Sequence, residues 1–247
     1  MQLSDLVGAS IAPAPSGRYR EQNLERSGRQ LATLSGFFVD RFPVTGAAVS
    51  TVGDVLGSET ISATDDGAAR LDELQFDLGE GPCWEALRTS AAVLEPDFRR
   101  RGVSRWPAFA SAVEDDMEVA SMFAFPLTVG EIRMGAVDLY SVEPVTLSPQ
   151  ECTQARAMAH VVSRHVLRDA LSGFADSDAR TGTYSRRTVH QATGIVLAQL
   201  DIGPDDALLM LQARAFSTGQ RVMEVAQAVI DGTLRFSRTS SGIEAGS

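Results

Sequence analysis

The sequence predicts an α+β chain of two domains, an antiparallel sheet flanked by helices followed by a C-terminal block of three short helices. Three observations lead there. Two pairs of β-rich runs are each joined by a tight turn signal, Gly53-Asp54 in the first pair and Gly130-Glu131 in the second. A long stretch from Ser148 carries one apolar stripe at helical spacing. The last quarter, Arg186 to Phe236, compresses three amphipathic patterns into one compact segment. At 247 residues the chain exceeds one typical domain of about 100 to 200 residues. An apolar content of 44% supplies a core.

Residues 1–17, rich in small residues and proline, read as a disordered lead-in. From Arg18 to Val39 the pattern is helical, with Leu24, Leu31, Leu34 and Phe38 at three-, four- and seven-residue separations, and Pro43 closes it. Extended runs follow at Gly46 to Val52 and Val55 to Ala63, then a short helix over Ala68 to Leu74. Gln75 to Arg101 is expected to be loop-heavy, because Gly79, Gly81 and Pro82 punctuate it before Cys83 to Leu87 turn helical. Ala91 to Leu94 reads as a strand, and Trp106 to Asp116 as a helix with Trp106, Phe109, Ala110 and Val113 on one face. The second strand pair spans Ser121 to Val129 and Ile132 to Ser141.

Ser148, Pro149 and Glu151 supply start chemistry for a helix running to about Leu171. Its stripe is Ala155, Met158, Ala159, Val162, Val166 and Ala170, with Arg156, Arg164 and Arg168 off it. Residues 172–183, with two glycines and mixed Asp and Ser, read as an interdomain linker. In the C-terminal block Ser185 is the expected N-cap of the first helix, Pro204 opens the second, and Arg221 to Ile230 form the third, closed by Gly232. Residues 239–247 are expected to be a disordered tail.

No window approaches the roughly 20 consecutive apolar residues of a membrane span, and the expected location is the cytoplasm. Two cysteines, Cys83 and Cys152, make neither a disulfide framework nor a zinc site by spacing, so no metal is expected. Net charge is −10, which argues against non-specific coating of nucleic acid. Its distribution is uneven: residues 1–179 hold 15 Arg against 26 acids, whereas residues 180–247 hold 7 Arg against 6. The chain contains no lysine, so every fixed cation is a planar guanidinium, suited to bidentate phosphate contacts and base stacking.

The core face of the C-terminal block collects Val189, Ala192 and Val196, then Ala207, Leu208, Leu211, Ala215 and Phe216, then Val222, Val225, Ala226 and Val229. Gly194 sits inside a helix at a cost near ~1 kcal/mol, which calls for a packing or contact reason. The outer face holds the binding candidates Arg186, Arg187, His190, Gln191, Arg214, Gln220, Arg221 and Arg235. Guanidinium contacts to phosphate and stacking on unpaired bases are the chemistry that RNA binding needs.

The runs RRTVHQATGIVLAQL, PDDALLMLQARAFSTG and RVMEVAQAVIDGTLRF resemble the ANTAR domain, a three-helix RNA-binding module of transcription antitermination regulators, here over 184–238. That resemblance implies recognition of paired RNA stem-loops in nascent mRNA leaders, favouring an antiterminator over a terminator. Ala192 to Gly194 and Ala213 to Phe216 fall at family positions. Thr193 stands where many members are basic, which makes it a further binding candidate, and Arg214 where many are aromatic.

Upstream, LQFDLGEGPCWEAL, RWPAFASA and MFAFPLTVGEIRMGAVDLYSVEP resemble the GAF domain that precedes ANTAR domains in actinobacterial regulators, here over 18–171. The resemblance implies a sensor with a small-molecule ligand of unknown identity and a homodimer built through the GAF half and the long helix. Cyclic-nucleotide GAF domains use an Asn-Lys-Phe-Asp-Glu set, which a chain with no lysine and one Asn, Asn23, lacks. His160 and His165 on the long helix read as ordinary polar residues instead of haem ligands, and Cys83 as a small packing residue in preference to a redox sensor. No His, Cys and acid cluster recurs at catalytic spacing, so no catalysis is expected. The rival reading is a protein-interaction regulator in which the three helices dock another protein.

Overall fold

A computed structural model describes residues 33–52, 58–173, 187–239 and 242–246. The lead-in, most of the first helical pattern, the Gly53-Asp54 turn, the linker over 174–183, the Ser185 cap and Arg186 lie outside the described residues. In chain order the elements are α1 (Gly36–Val39), β1 (Gly46–Thr51), β2 (Glu59–Ala63), α2 (Asp66–Leu78), α3 (Pro82–Thr89), β3 (Val93–Glu95), α4 (Phe98–Arg105) and α5 (Pro107–Asp116). They continue with β4 (Ser121–Val129), β5 (Ile132–Ser141), α6 (Pro149–Gly173), α7 (Arg187–Leu200), α8 (Pro204–Thr218), α9 (Val222–Ile230), β6 (Arg235–Thr239) and β7 (Gly242–Gly246).

Five strands form one antiparallel sheet in the order β2-β1-β5-β4-β3. Side chains alternate between its faces, and both faces are buried, so the strands read as near-continuous apolar runs. Val49, Phe123, Phe125, Val137 and Leu139 point to the face covered by α6 through Ala155, Ala159, Val162 and Val166. Ala48, Met122, Ala124 and Tyr140 point to the other, covered by α2, α4 and α5 through Leu71, Leu74, Phe98 and Phe109. Gly135, at φ +156°, lets β1 and β5 meet: a Cβ there would stand 1.9 Å from the Ser50 carbonyl oxygen.

The segment expected to be loop-heavy is mostly helix. Asp65 caps α2 by accepting from the Ala68 N–H at 2.8 Å, and the helix runs on to the left-handed Gly79 at φ +62°. Asp72 and Gln75 are buried on it, so polar side chains interrupt the apolar pattern and hide the last turns from a periodicity reading. Gly81 and Pro82 then open α3 directly, and α4 takes up 98–105. An ion-pair network fastens these helices. Arg105 donates to Glu95 at 3.0 Å and to Glu85 at 2.6 Å, with Glu95 fully buried and the guanidinium 4.3 Å from the Trp106 ring centroid.

Helix α6 starts as its sequence predicts. The Ser148 N–H donates to Glu151 Oε2 at 2.7 Å, and the Glu151 N–H returns to Ser148 Oγ at 3.2 Å. Helices α7, α8 and α9 pack through Val189, Ala192, Val196, Leu211, Ala215, Val222 and Val225. Instead of a disordered tail, residues 242–246 pair as β7 with β6. Phe236 is buried, Arg238 donates to the Leu200 carbonyl at 3.1 Å and the Phe236 N–H to Gln199 Oε1 at 2.9 Å, which ties the hairpin to α7.

Candidate nucleic-acid interface

The three-helix module positions its polar groups by helical angle. Residues Ala207, Leu211 and Ala215 of α8 face inward in steps of four. Phe216, one step of about 100° beyond Ala215, projects into solvent at 76% exposure. This corrects its assignment to the core: the face is filled by Ala207, Leu211 and Ala215, leaving no inward angle for it. With Leu209 at 55% exposure and Ala213 it forms an apolar stripe along the outside of α8. Sequence spacing carried this signal, since Leu209 and Phe216 are seven apart.

Helix α7 is flat on its outer side. His190, Gln191, Gly194 and Ala198 are exposed, and a Cβ on Gly194 would meet nothing within 4 Å. Close helix packing is therefore not why glycine stands there. Its effect is to leave bare backbone beside His190 and Gln191, room for a partner to approach. Arg187 is the first residue of α7. Thr193 is half-buried and its hydroxyl donates to the Val189 carbonyl at 2.8 Å, so its polar atom is engaged within its own helix. Arg214 is half-buried on α8, with its Nε buried and unpartnered. Gln220 is exposed and accepts from Thr218 Oγ1 at 2.9 Å, and Arg235 is exposed at the start of β6.

Two predicted binding residues, though exposed, also contact the sheet domain. His190 Nε2 accepts from the Ser58 N–H at 3.4 Å. Arg221, the N-cap of α9, pairs with Glu73 of α2 at 3.7 Å. Beside it the Val222 N–H donates to Asp77 Oδ2 at 3.3 Å, and Gln212 Nε2 donates to the Phe76 carbonyl at 3.0 Å. Phe76 itself is buried in the core of the three-helix module, with Trp84 against it.

On the inner side of α2 lies a buried polar cluster that residue spacing did not reveal. Asp138 of β5 is 5% exposed, and both its carboxylate oxygens, Ser50 Oγ and Gln75 Nε2 are buried without a hydrogen-bond partner. Burial, and next the charge of Asp72, hold the Asp138 carboxyl well above the usual carboxylate range, while the Gln75 amide offsets part of that. Asp72 accepts from the Thr60 hydroxyl. Gln75 Oε1 accepts from the Cys83 N–H at 2.7 Å, a contact Gly81 permits because a Cβ there would stand 2.6 Å from the Gln75 side chain. Cys83 is buried beside the α3 start, and no group of three or more metal-ligating side chains occurs among the described residues. No helix among the described residues is long and apolar enough to cross a membrane.

A sequence profile of the GAF domain matches residues 29–167, and one of the ANTAR domain matches residues 178–230. No curated protein matches the chain. Among solved structures, the GAF domain region of a Geobacter sulfurreducens PCA protein is similar at 14% identity, covering 60% of this chain and 99% of that one, with a TM-score of 0.48. The GAF domain of a Coxiella burnetii phosphoenolpyruvate-protein phosphotransferase is similar at 12% identity, covering 64% and 94%, with a TM-score of 0.47. A type II free methionine-R-sulfoxide reductase from Thermoplasma acidophilum is similar at 14% identity, covering 59% and 95%, with a TM-score of 0.44. With its first profile spanning more than half the chain and the second following it, the protein belongs to the GAF domain family and is a GAF-ANTAR regulator, a sensor domain joined to an antiterminator domain.

Proposed function

We propose that this regulator binds paired stem-loops in nascent mRNA through α7 to α9 and thereby promotes transcription antitermination in the cytoplasm, under control of its GAF domain. The observation that carries the reading is the ANTAR match over a module whose outer surface joins open backbone at Gly194, exposed polar residues on α7 and an exposed aromatic on α8. Unpaired loop bases can splay onto such a surface, whereas the A-form major groove is too narrow for side chains to read. Phe216 supplies a π-face, and Arg187, Arg214 and Arg235 supply cations. Dimerisation through the sheet domain and α6 would offer two readers to two hairpins and raise effective affinity through local concentration.

A small molecule that reaches the polar cluster behind α2 is the signal this reading supplies. The cluster presents a hydroxyl, an amide and a carboxyl held toward its protonated form inside the fold.

The exposed stripe of Leu209, Ala213 and Phe216, together with the near-neutral charge of the C-terminal quarter, favours a second reading in which the module docks another protein. A salt titration of the full-length chain separates the two. The RNA reading expects retention of a pool of paired hairpins with randomised loops, with log affinity falling against log salt at about −0.7 per phosphate contact. No retention at low salt moves the assignment to protein docking.

A further inference from the structure

We infer that the outer face of α2 is an internal mimic of RNA phosphate, which holds the ANTAR module in a docked, RNA-silent arrangement. This rests on the RNA-binding reading and names how that surface is controlled. Two carboxylates one helical turn apart, Glu73 and Asp77, meet the two groups at the start of α9 that a phosphate backbone would seek. Glu73 pairs with the Arg221 guanidinium at 3.7 Å, and Asp77 Oδ2 accepts from the Val222 N–H at 3.3 Å. A helix N-terminus with an adjacent guanidinium is an anion site, and here the anion comes from the same chain. His190 is drawn to the same side by the Ser58 N–H, and Gln212 by the Phe76 carbonyl.

The docked contact has the strength profile of a switch. Its apolar part is small, Phe76 inserted into the module with Trp84 beside it, and its polar part includes partly exposed charge pairs, each worth only about 0 to 1 kcal/mol. Such an interface holds without locking. A neighbouring side of α2 carries the buried polar cluster: Asp72 and Gln75 point inward while Glu73, Phe76 and Asp77 meet the module. Trp84 bridges the two sides, since its Nε1 donates to the Gln75 carbonyl at 2.6 Å. Movement of α2 at the polar cluster therefore changes the docking face directly. Bound RNA and docked α2 compete for Arg221 and the α9 N-terminus, so full release raises the apparent RNA affinity by the reciprocal of the fraction of chain that was undocked.

The test compares full-length wild type with the Glu73→Ala/Asp77→Ala double variant, using the pool of paired hairpins with randomised loops as probe. A Glu114→Ala/Asp115→Ala variant on exposed positions of α5 matches the change in charge. Hydrogen exchange over 222–230 reports whether the module has been released. The expected result is faster exchange there with about tenfold tighter RNA retention, against little change in the α5 variant. Faster exchange with RNA retained as by wild type overturns the phosphate mimic while leaving RNA reading intact. Unchanged exchange shows that these carboxylates do not hold the module and also overturns it. Failure of all three proteins to retain RNA, with exchange accelerated, removes the RNA reading and this inference with it.

Discussion

Asp138 is a carboxyl buried at the centre of the sheet, facing Asp72 with the Gln75 amide beside it. Because its folded pKa is raised, its contribution to stability is fully present below the unfolded Asp pKa and is lost as pH rises through the folded value. Asp138→Asn removes that titration. Thermal melts are expected to show the variant gaining on wild type at pH 8 and losing the advantage at pH 4; parallel melting curves across that range would contradict a raised pKa. Arg105 poses the opposite case, a cation serving a fully buried Glu95. Denaturant titration of Arg105→Ala is expected to show a loss of about 3 kcal/mol, since the buried carboxylate is left with the Asp97 N–H at 3.3 Å and a 3.6 Å contact to Arg101 as its remaining partners. For Phe216→Ala the expectation is different in kind. Stability should change by less than about 0.5 kcal/mol, while RNA affinity falls roughly tenfold through the loss of one stacked base. The sequence showed that Phe216 lay near a core face but not on which side of its edge, because Leu208, Leu211, Ala215 and Phe216 span more of the helix than the core fills. Pairing across a fold is likewise invisible to local spacing: nothing in the pattern around Arg221 or His190 announced Glu73 or Ser58 as neighbours.

Among the elements, the strands and the long helix were the most legible. The β-rich runs at 121–129 and 132–141 are separated by the Gly130-Glu131 turn signal and the helix from Pro149 keeps its stripe, so each reading matches the structure. Helix α2 was half-legible because Asp72 and Gln75, which belong to the buried polar cluster, occupy inward positions where a periodicity reading expects apolar residues. The same conflict between local pattern and placement marks α2 as a functional element. Gly135 shows what one atom does at this scale. A methyl added there would collide with the β1 backbone, so Gly135→Ala is expected to lower stability by about 3 kcal/mol, read by denaturant unfolding. A change under about 1 kcal/mol would show that β1 and β5 can separate locally. The β6–β7 hairpin was missed because its anchors, Gln199 and Leu200, belong to α7, more than 30 residues upstream.

At the scale of the whole molecule, one helix stands between a buried polar cluster and the face of the ANTAR module. The acidic sheet domain and the nearly balanced C-terminal quarter, legible in the sequence as an uneven charge distribution, acquire a physical meaning in this arrangement: the sheet domain supplies carboxylates to groups suited to phosphate. RNA recognition by α7 to α9 is the central claim, and ultraviolet crosslinking in the native host, followed by sequencing of the attached RNA, tests it most directly. Wild type, the Glu73→Ala/Asp77→Ala variant and an Arg186→Ala/Arg187→Ala/Arg214→Ala variant would be compared. Paired hairpins ahead of terminators are predicted on the first two, more abundant on the released variant and lost from the triple one; no RNA above the triple variant on either would contradict the account.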